Sequence, residues 1–110
     1  MTRTVVTSNA AAQELTELYD YIANAKSAMV AKDYVDAIIA ETKKLGRAPF
    51  RGRARDDVRP GMRVLGFRRR VHIIFTVTDD IVQIGHILYG GRDHVAIIRA
   101  DANAEQRDEG

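Results

Sequence analysis

The chain contains no cysteine. That excludes a disulfide framework, a thiolate metal site and a cysteine nucleophile. No apolar run approaches the ~20 residues that a membrane-spanning helix needs. Thr2–Thr7 is short and is followed by polar residues, so it does not read as a signal peptide. A cytoplasmic location with no membrane partner is expected. Also missing are a glycine-rich phosphate loop, a G-x-S-x-G turn, a carboxylate pair at catalytic spacing and any internal repeat. Asp56-Asp57 and Asp79-Asp80 are adjacent pairs whose side chains diverge on extended backbone, and they read as turn residues. The histidines, His72, His86 and His94, fall at no metal-ligand spacing, so neither a metal nor a cofactor is expected. His72, next to Arg68-Arg69-Arg70, is the best placed of them for proton transfer.

Lysine is absent after Lys44, and arginine takes its place. Between Arg47 and Arg70 there are nine arginines against Asp56 and Asp57, a local charge of +7. Residues 1–46 carry −1 and residues 71–110 carry −4, so a formal total of +2 hides a basic middle between two acidic flanks. Arginine without lysine points to planar, bidentate pairing with carboxylates or phosphates. Two aspartates cannot neutralise nine arginines, so a basic surface patch is expected there. Charge alone does not choose its partner.

At 110 residues, with 45% hydrophobic and 29% charged residues, the chain reads as one domain over 1–99 and a tail over 100–110. Thr4-Val5-Val6 is β-prone, and Thr7, Ser8 and Asn9 are three candidate helix N-caps. Ala11, Leu15, Leu18, Ile22 and Ala25 recur at steps of three and four, as do Ala31, Val35, Ile38, Thr42 and Leu45 after a break at Lys26-Ser27. These spacings predict two amphipathic helices in a hairpin. Gly46 stands where a C′ glycine would end the second. Residues 48–61 read as a loop punctuated by Pro49, Gly52, Pro60 and Gly61. Then the period drops to two. Met62–Phe67, Val71–Thr78 and Ile81–Tyr89 read as a strand meander, with Val71, Ile73, Phe75 and Val77 on one face. In the last strand Val82 and Ile84 share a face that Ile87 and Tyr89 do not, which predicts a β-bulge at Gly85-His86. The order β-αα-βββ gives an α+β fold, a helical hairpin packed on an antiparallel sheet, which the N-terminal strand is expected to join.

Several motifs carry a resemblance. They are Leu18-Tyr19-Asp20-Tyr21-Ile22-Ala23, Pro49 with Gly52-Arg53, Asp56-Asp57-Val58-Arg59-Pro60-Gly61-Met62-Arg63, Ile74-Phe75, and Tyr89-Gly90-Gly91-Arg92-Asp93. Over about Val5 to Val95 the chain resembles the RelE/ParE superfamily of bacterial toxins from type II toxin–antitoxin systems, and the ParE branch more closely. The resemblance implies a growth inhibitor that binds and poisons DNA gyrase, without catalysis, and that a cognate ParD-like antitoxin neutralises. The alternative it implies is RelE-like cleavage of messenger RNA on the ribosome, with His72 and Arg92 as catalytic groups. His72 stands where that branch carries an arginine, and Ile97 or Ile98 stands where it carries a tyrosine, which weighs against cleavage and against direct nucleic-acid binding. A third implied reading is a non-toxic relative that only binds antitoxin. Tyr19, Tyr21 and Tyr34, with Met29, are expected to form an antitoxin groove. Arg59, Arg68, Arg69, Arg70 and Arg92 are expected to bind target or antitoxin. Arg63, paired with Asp56 or Asp57, and Asp93 as a cap are expected to serve the fold.

Overall fold

Two serines start the two helices. In the computed structural model, which describes residues 2–90, Ser8 has extended backbone and its Oγ accepts from the Ala11 N–H at 3.0 Å. Ser27 does the same for Val30 at 3.1 Å. Each hydroxyl satisfies one of the N–H groups that a helix start leaves orphaned. The helices are α1 (Asn9–Ala25) and α2 (Ala28–Lys44), and the strands are β1 (Thr4–Thr7), β2 (Arg53–Ala54), β3 (Met62–Phe67), β4 (Val71–Val77) and β5 (Ile81–Tyr89). Only Lys26 and Ser27 separate the helices, so they pack as antiparallel neighbours.

The sheet order is β1-β5-β4-β3-β2. β1 pairs with β5 in parallel, and the other neighbours are antiparallel. A two-layer α+β architecture results. Ala11, Leu18 and Ile22 from α1 and Ala31, Ile38 and Leu45 from the α2 side are buried against Val71, Ile73, Phe75, Val82, Ile84 and Ile87 of the sheet. Ala25 departs from the predicted stripe: it is exposed in the last turn of α1, where a methyl group loses little by staying wet. Thr42 is the buried polar member of α2, and its Oγ1 donates to the Ile39 carbonyl at 2.7 Å.

The predicted bulge is present. Ile74 faces His86 and Phe75 faces Ile84, which leaves Gly85 unpaired on β5. The extra residue returns Ile87 and Tyr89 to the helix-side core that Val82 and Ile84 already occupy. The other sheet face carries a smaller cluster of Met62, Ile74 and Leu88, with Val58 and Val64 against it.

Three further features differ from expectation. β2 is a two-residue strand inside the stretch read as loop, paired to β3 through Arg53–Val64 and Ala54–Arg63. β4 ends at Val77, one residue early. Gly46 is not a left-handed terminator: it lies outside the positive-φ glycines. Its reason is proximity, since the Gly46 carbonyl accepts from Arg3 N–H at 2.8 Å and a Cβ there would sit 2.7 Å from the Arg3 carbonyl oxygen. The predicted tail over 100–110, together with residues 91–99, lies outside the described residues.

Candidate functional site

The first candidate surface follows from how β5 is covered. β1 pairs only with Ile81–Ile84. The rest of that edge is met by α1. The Ser8 Oγ that caps α1 also donates to the Gly85 carbonyl at 2.8 Å. Further along α1, the Glu14 carboxylate accepts from the Ile87 N–H at 2.9 Å and lies 3.1 Å from His86 Nδ1. Beyond this clamp the helix and strand part, and a concave groove opens between them. Glu14, Glu17, Leu18, Tyr21, Ile87 and Tyr89 line it.

An aromatic group closes one end. The rings of Tyr21 and Tyr89 lie 5.9 Å apart, and Tyr34 meets Tyr89 edge-on at 6.3 Å. The Arg68 guanidinium lies over the rings of Tyr34 and Phe67, 5.6 and 5.1 Å from their centroids. Burial, then Tyr89, pushes the Tyr34 hydroxyl above its usual pKa, while Arg68 and Arg70 oppose the shift. Of the three predicted groove tyrosines, Tyr21 is 56% exposed, Tyr34 is half-buried in the cluster, and Tyr19 packs against the main core. Met29 is 75% exposed at the start of α2. The sequence reading missed Glu14, Glu17, Ile87 and Tyr89 as groove residues. Tyr89 carried a signal, as a large aromatic at the very end of a strand.

The arginines divide into those that build the fold and those that face outward. Arg63 does not pair with Asp56 or Asp57 as expected. Its Nε donates to the Arg51 carbonyl at 2.9 Å and its Nη2 to the Gly52 carbonyl at 3.3 Å, with the guanidinium 5.8 Å from the Phe50 ring centroid. The left-handed turn at Gly52 (φ 75°) turns these carbonyls into a fork for it. Asp56 instead accepts from the Gly61 N–H at 2.9 Å, and Asp57 takes two 2.9 Å bonds from Arg55. Asp57 thereby raises the pKa of Arg55, chiefly through this hydrogen bonding. Burial alone would raise Glu41, but the hydrogen bond and charge of Arg51 at 2.7 Å, with Lys44, hold it below the ordinary carboxylate value. Arg59 is half-buried. Arg68, Arg69 and Arg70 are exposed at the tip of the β3–β4 hairpin, with Arg68 and Arg69 at φ of 51° and 65°. Non-glycine residues in that region cost of order 1 kcal/mol each, a strain that clusters at functional sites. Arg92 and Asp93 lie outside the described residues.

On the face away from the helices, Arg53, Arg55, Val64, Gly66 and His72 line a second concavity. Among the described residues, no group of three or more His, Asp or Glu is arranged to hold a metal, and no helix is long and apolar enough to cross a membrane.

The family model for the ParE toxin of the type II toxin–antitoxin system parDE matches residues 5–94. The chain belongs to the ParE toxin family. A solved chain of the chromosomal ParDE toxin–antitoxin system from P. aeruginosa has the same fold, with a TM-score of 0.70 at 24% identity, covering 81% of this chain and 97% of that one. No curated protein matches the sequence. The matched span of the ParE family includes the helical hairpin and every strand of the sheet except Thr4 of β1. It therefore includes both concavities and the arginine hairpin.

Proposed function

We propose that this ParE-family toxin inhibits growth by binding and poisoning DNA gyrase in the cytoplasm, and that a cognate antitoxin neutralises it by filling the groove between α1 and β5. The observation that carries the reading is the match to the ParE toxin family across the helical hairpin and the sheet. The groove supports the antitoxin half. Leu18, Tyr21, Ile87 and Tyr89 offer apolar anchor sites, while Tyr21, Met29 and Val30 leave apolar surface exposed along the hairpin. Charge sets the direction of the occupant. Glu14 and Glu17 mark one end and Arg68 the other, so a helical segment would lie with its acidic residues at the arginine hairpin.

One observation favours the alternative of RNA cleavage: His72 shares a cleft with Arg53 and Arg55. Inducible expression in bacteria separates the two, scored for DNA-damage response and filamentation against arrested translation, with purified gyrase supercoiling as the direct assay. His72→Ala should leave growth arrest and gyrase inhibition intact. A drop of about 100-fold in toxicity, the scale of a lost general acid or base, with translation arrested, would establish cleavage instead. Tyr21→Ala should weaken antitoxin binding by about 30-fold, as for an aromatic hot spot of about 2 kcal/mol.

A further inference from the structure

Gly66 has no structural excuse. It is the fifth of the six residues of β3, inside the strand, where glycine costs strand stability and packs nothing. Its φ is not left-handed, and a Cβ built on it would meet no atom within 4 Å. Gly46, Gly52 and Gly61, in contrast, each have backbone within 3 Å of where a Cβ would go. What the missing side chain leaves is room. Directly opposed residues on antiparallel strands share a face. Arg53, Val64 and Ile74 therefore form one cross-strand row, and Gly66, His72 and Leu88 form the next. Gly66 makes a gap in the second row, and the gap is the floor of the concavity lined by Arg53, Arg55, Val64, Gly66 and His72.

The chemistry around the gap is cationic. Arg53 makes no hydrogen bond or ion pair through its guanidinium among the described residues. Arg55 commits two N–H groups to Asp57, which leaves it three of its five donors. His72 contributes an imidazole from the facing strand. Among the described residues, the acid bonded to this group is Asp57, which pairs with Arg55. We propose that this cleft binds a phosphate group, as carried by a nucleic-acid strand or by a free nucleotide. Donors from two strands converge on one concavity, which suits a tetrahedral anion. A planar carboxylate is satisfied by a single guanidinium fork. The absent side chain at Gly66 lets the anion approach the strand closely. The inference is independent of the gyrase reading, and its test involves neither gyrase nor cells.

The test is fluorescence anisotropy of labelled single-stranded DNA and RNA oligonucleotides of mixed sequence on the purified full-length chain, with inorganic phosphate and a polyglutamate peptide as competitors. Gly66→Val fills the gap with a side chain that strands favour. It should leave the melting temperature unchanged or higher while lowering oligonucleotide affinity at least about tenfold. Arg53→Gln, on the surface, should lower affinity about tenfold, the scale of one charge-assisted hydrogen bond. Displacement by inorganic phosphate shows that an isolated phosphate suffices. Binding of strands without such displacement, still sensitive to Gly66→Val, shows that the site takes a backbone. Either result supports the cleft. Absence of oligonucleotide binding overturns it, as does unchanged affinity in both variants. Preferential, Gly66-sensitive binding of polyglutamate would also overturn it and assign the cleft to an acidic protein.

Discussion

Replacing Glu14 with alanine should destabilise the toxin more than any other single change to the polar face of α1. The side chain is 16% exposed and serves two groups of β5, the Ile87 N–H and His86 Nδ1. Ile87 itself is 3% exposed, and its N–H has this carboxylate as its acceptor. A buried donor left without a partner costs about 1–3 kcal/mol, and bonds to a charged acceptor lie toward the upper end. The expected loss is about 2–3 kcal/mol, a large share of the ~5–15 kcal/mol that holds a domain together. At about 4–5 °C per kcal/mol, the melting temperature should fall by roughly 8–15 °C. Glu14→Gln keeps an oxygen for Ile87 and loses only the charge, so about 1 kcal/mol is expected. Glu17→Ala is the control. Glu17 lines the same groove but, among the described residues, makes only an exposed 3.3 Å bond with Gln13, so its change should stay within about 0.5 kcal/mol. Denaturant unfolding measures all three, and amide exchange at Ile87 locates the loss. If Glu14→Ala lies within about 0.5 kcal/mol of the parent and the Ile87 amide stays protected, the clamp argument is wrong.

Gly46→Ala should cost about 1–3 kcal/mol, the usual scale of overpacking, because the new methyl would meet the Arg3 carbonyl oxygen at 2.7 Å; thermal unfolding reads it, and an unchanged midpoint refutes the close-approach explanation. Arg69→Gly should raise stability by about 0.5–1 kcal/mol by relieving the residue at φ 65°, while weakening binding to the target, so stability and toxicity should move in opposite directions. Glu41→Gln should cost about 1 kcal/mol at neutral pH. Because the folded state holds Glu41 below its ordinary value, the parent's advantage is complete above about pH 4.3, the unfolded carboxylate value, and disappears as pH falls through the lower folded value. Unfolding of parent and variant from pH 7 to pH 3 should therefore converge.

Periodicity made most of the fold legible. Leu18 and Ile22, or Ala31 and Ile38, declare a buried helix face by spacing alone. The phase slip between Ile84 and Ile87 declared the bulge, because only an inserted residue lets both point inward. What stayed hidden depends on contacts between distant parts of the chain. Glu14 reads as a polar-face residue, and its role is fixed by an edge 73 residues away. Arg63 sits among aspartates in sequence, so charge pairing is the natural expectation. The turn at Gly52 instead presents two carbonyls nearer than any carboxylate. β2 has two residues and no alternation to read; it exists because β3 offers an edge. The groove was half legible, since Tyr21 was visible as an off-stripe aromatic whereas the β5 edge that completes it was not.

Both concavities arise where an edge strand stops short. β1 has no residue to pair beyond Ile84 because Ser8, the next residue after it, is committed to capping α1. The β5 edge past Gly85 is therefore left to a helix, and a helix meets an edge through side chains, which leaves a groove between clamps. On the other side, β2 covers β3 only at Arg63 and Val64, because the chain turns away at left-handed Gly52. Among the described residues no strand pairs with that edge of β3 at Gly66, and Arg53 of β2 and Arg55 just after it lie beside it. Short edges protect a sheet from pairing with strangers, and here they also expose two chemically different surfaces. One is apolar and aromatic on the helix side, and the other is cationic on the far side. Because β4 and β5 lie between them, a segment filling the groove need not cover the cleft. An antitoxin complex that still binds oligonucleotide through Arg53 and Gly66 is the expected consequence. Loss of that binding on antitoxin addition, with groove contacts unchanged, would mean that the partner wraps both faces of the sheet.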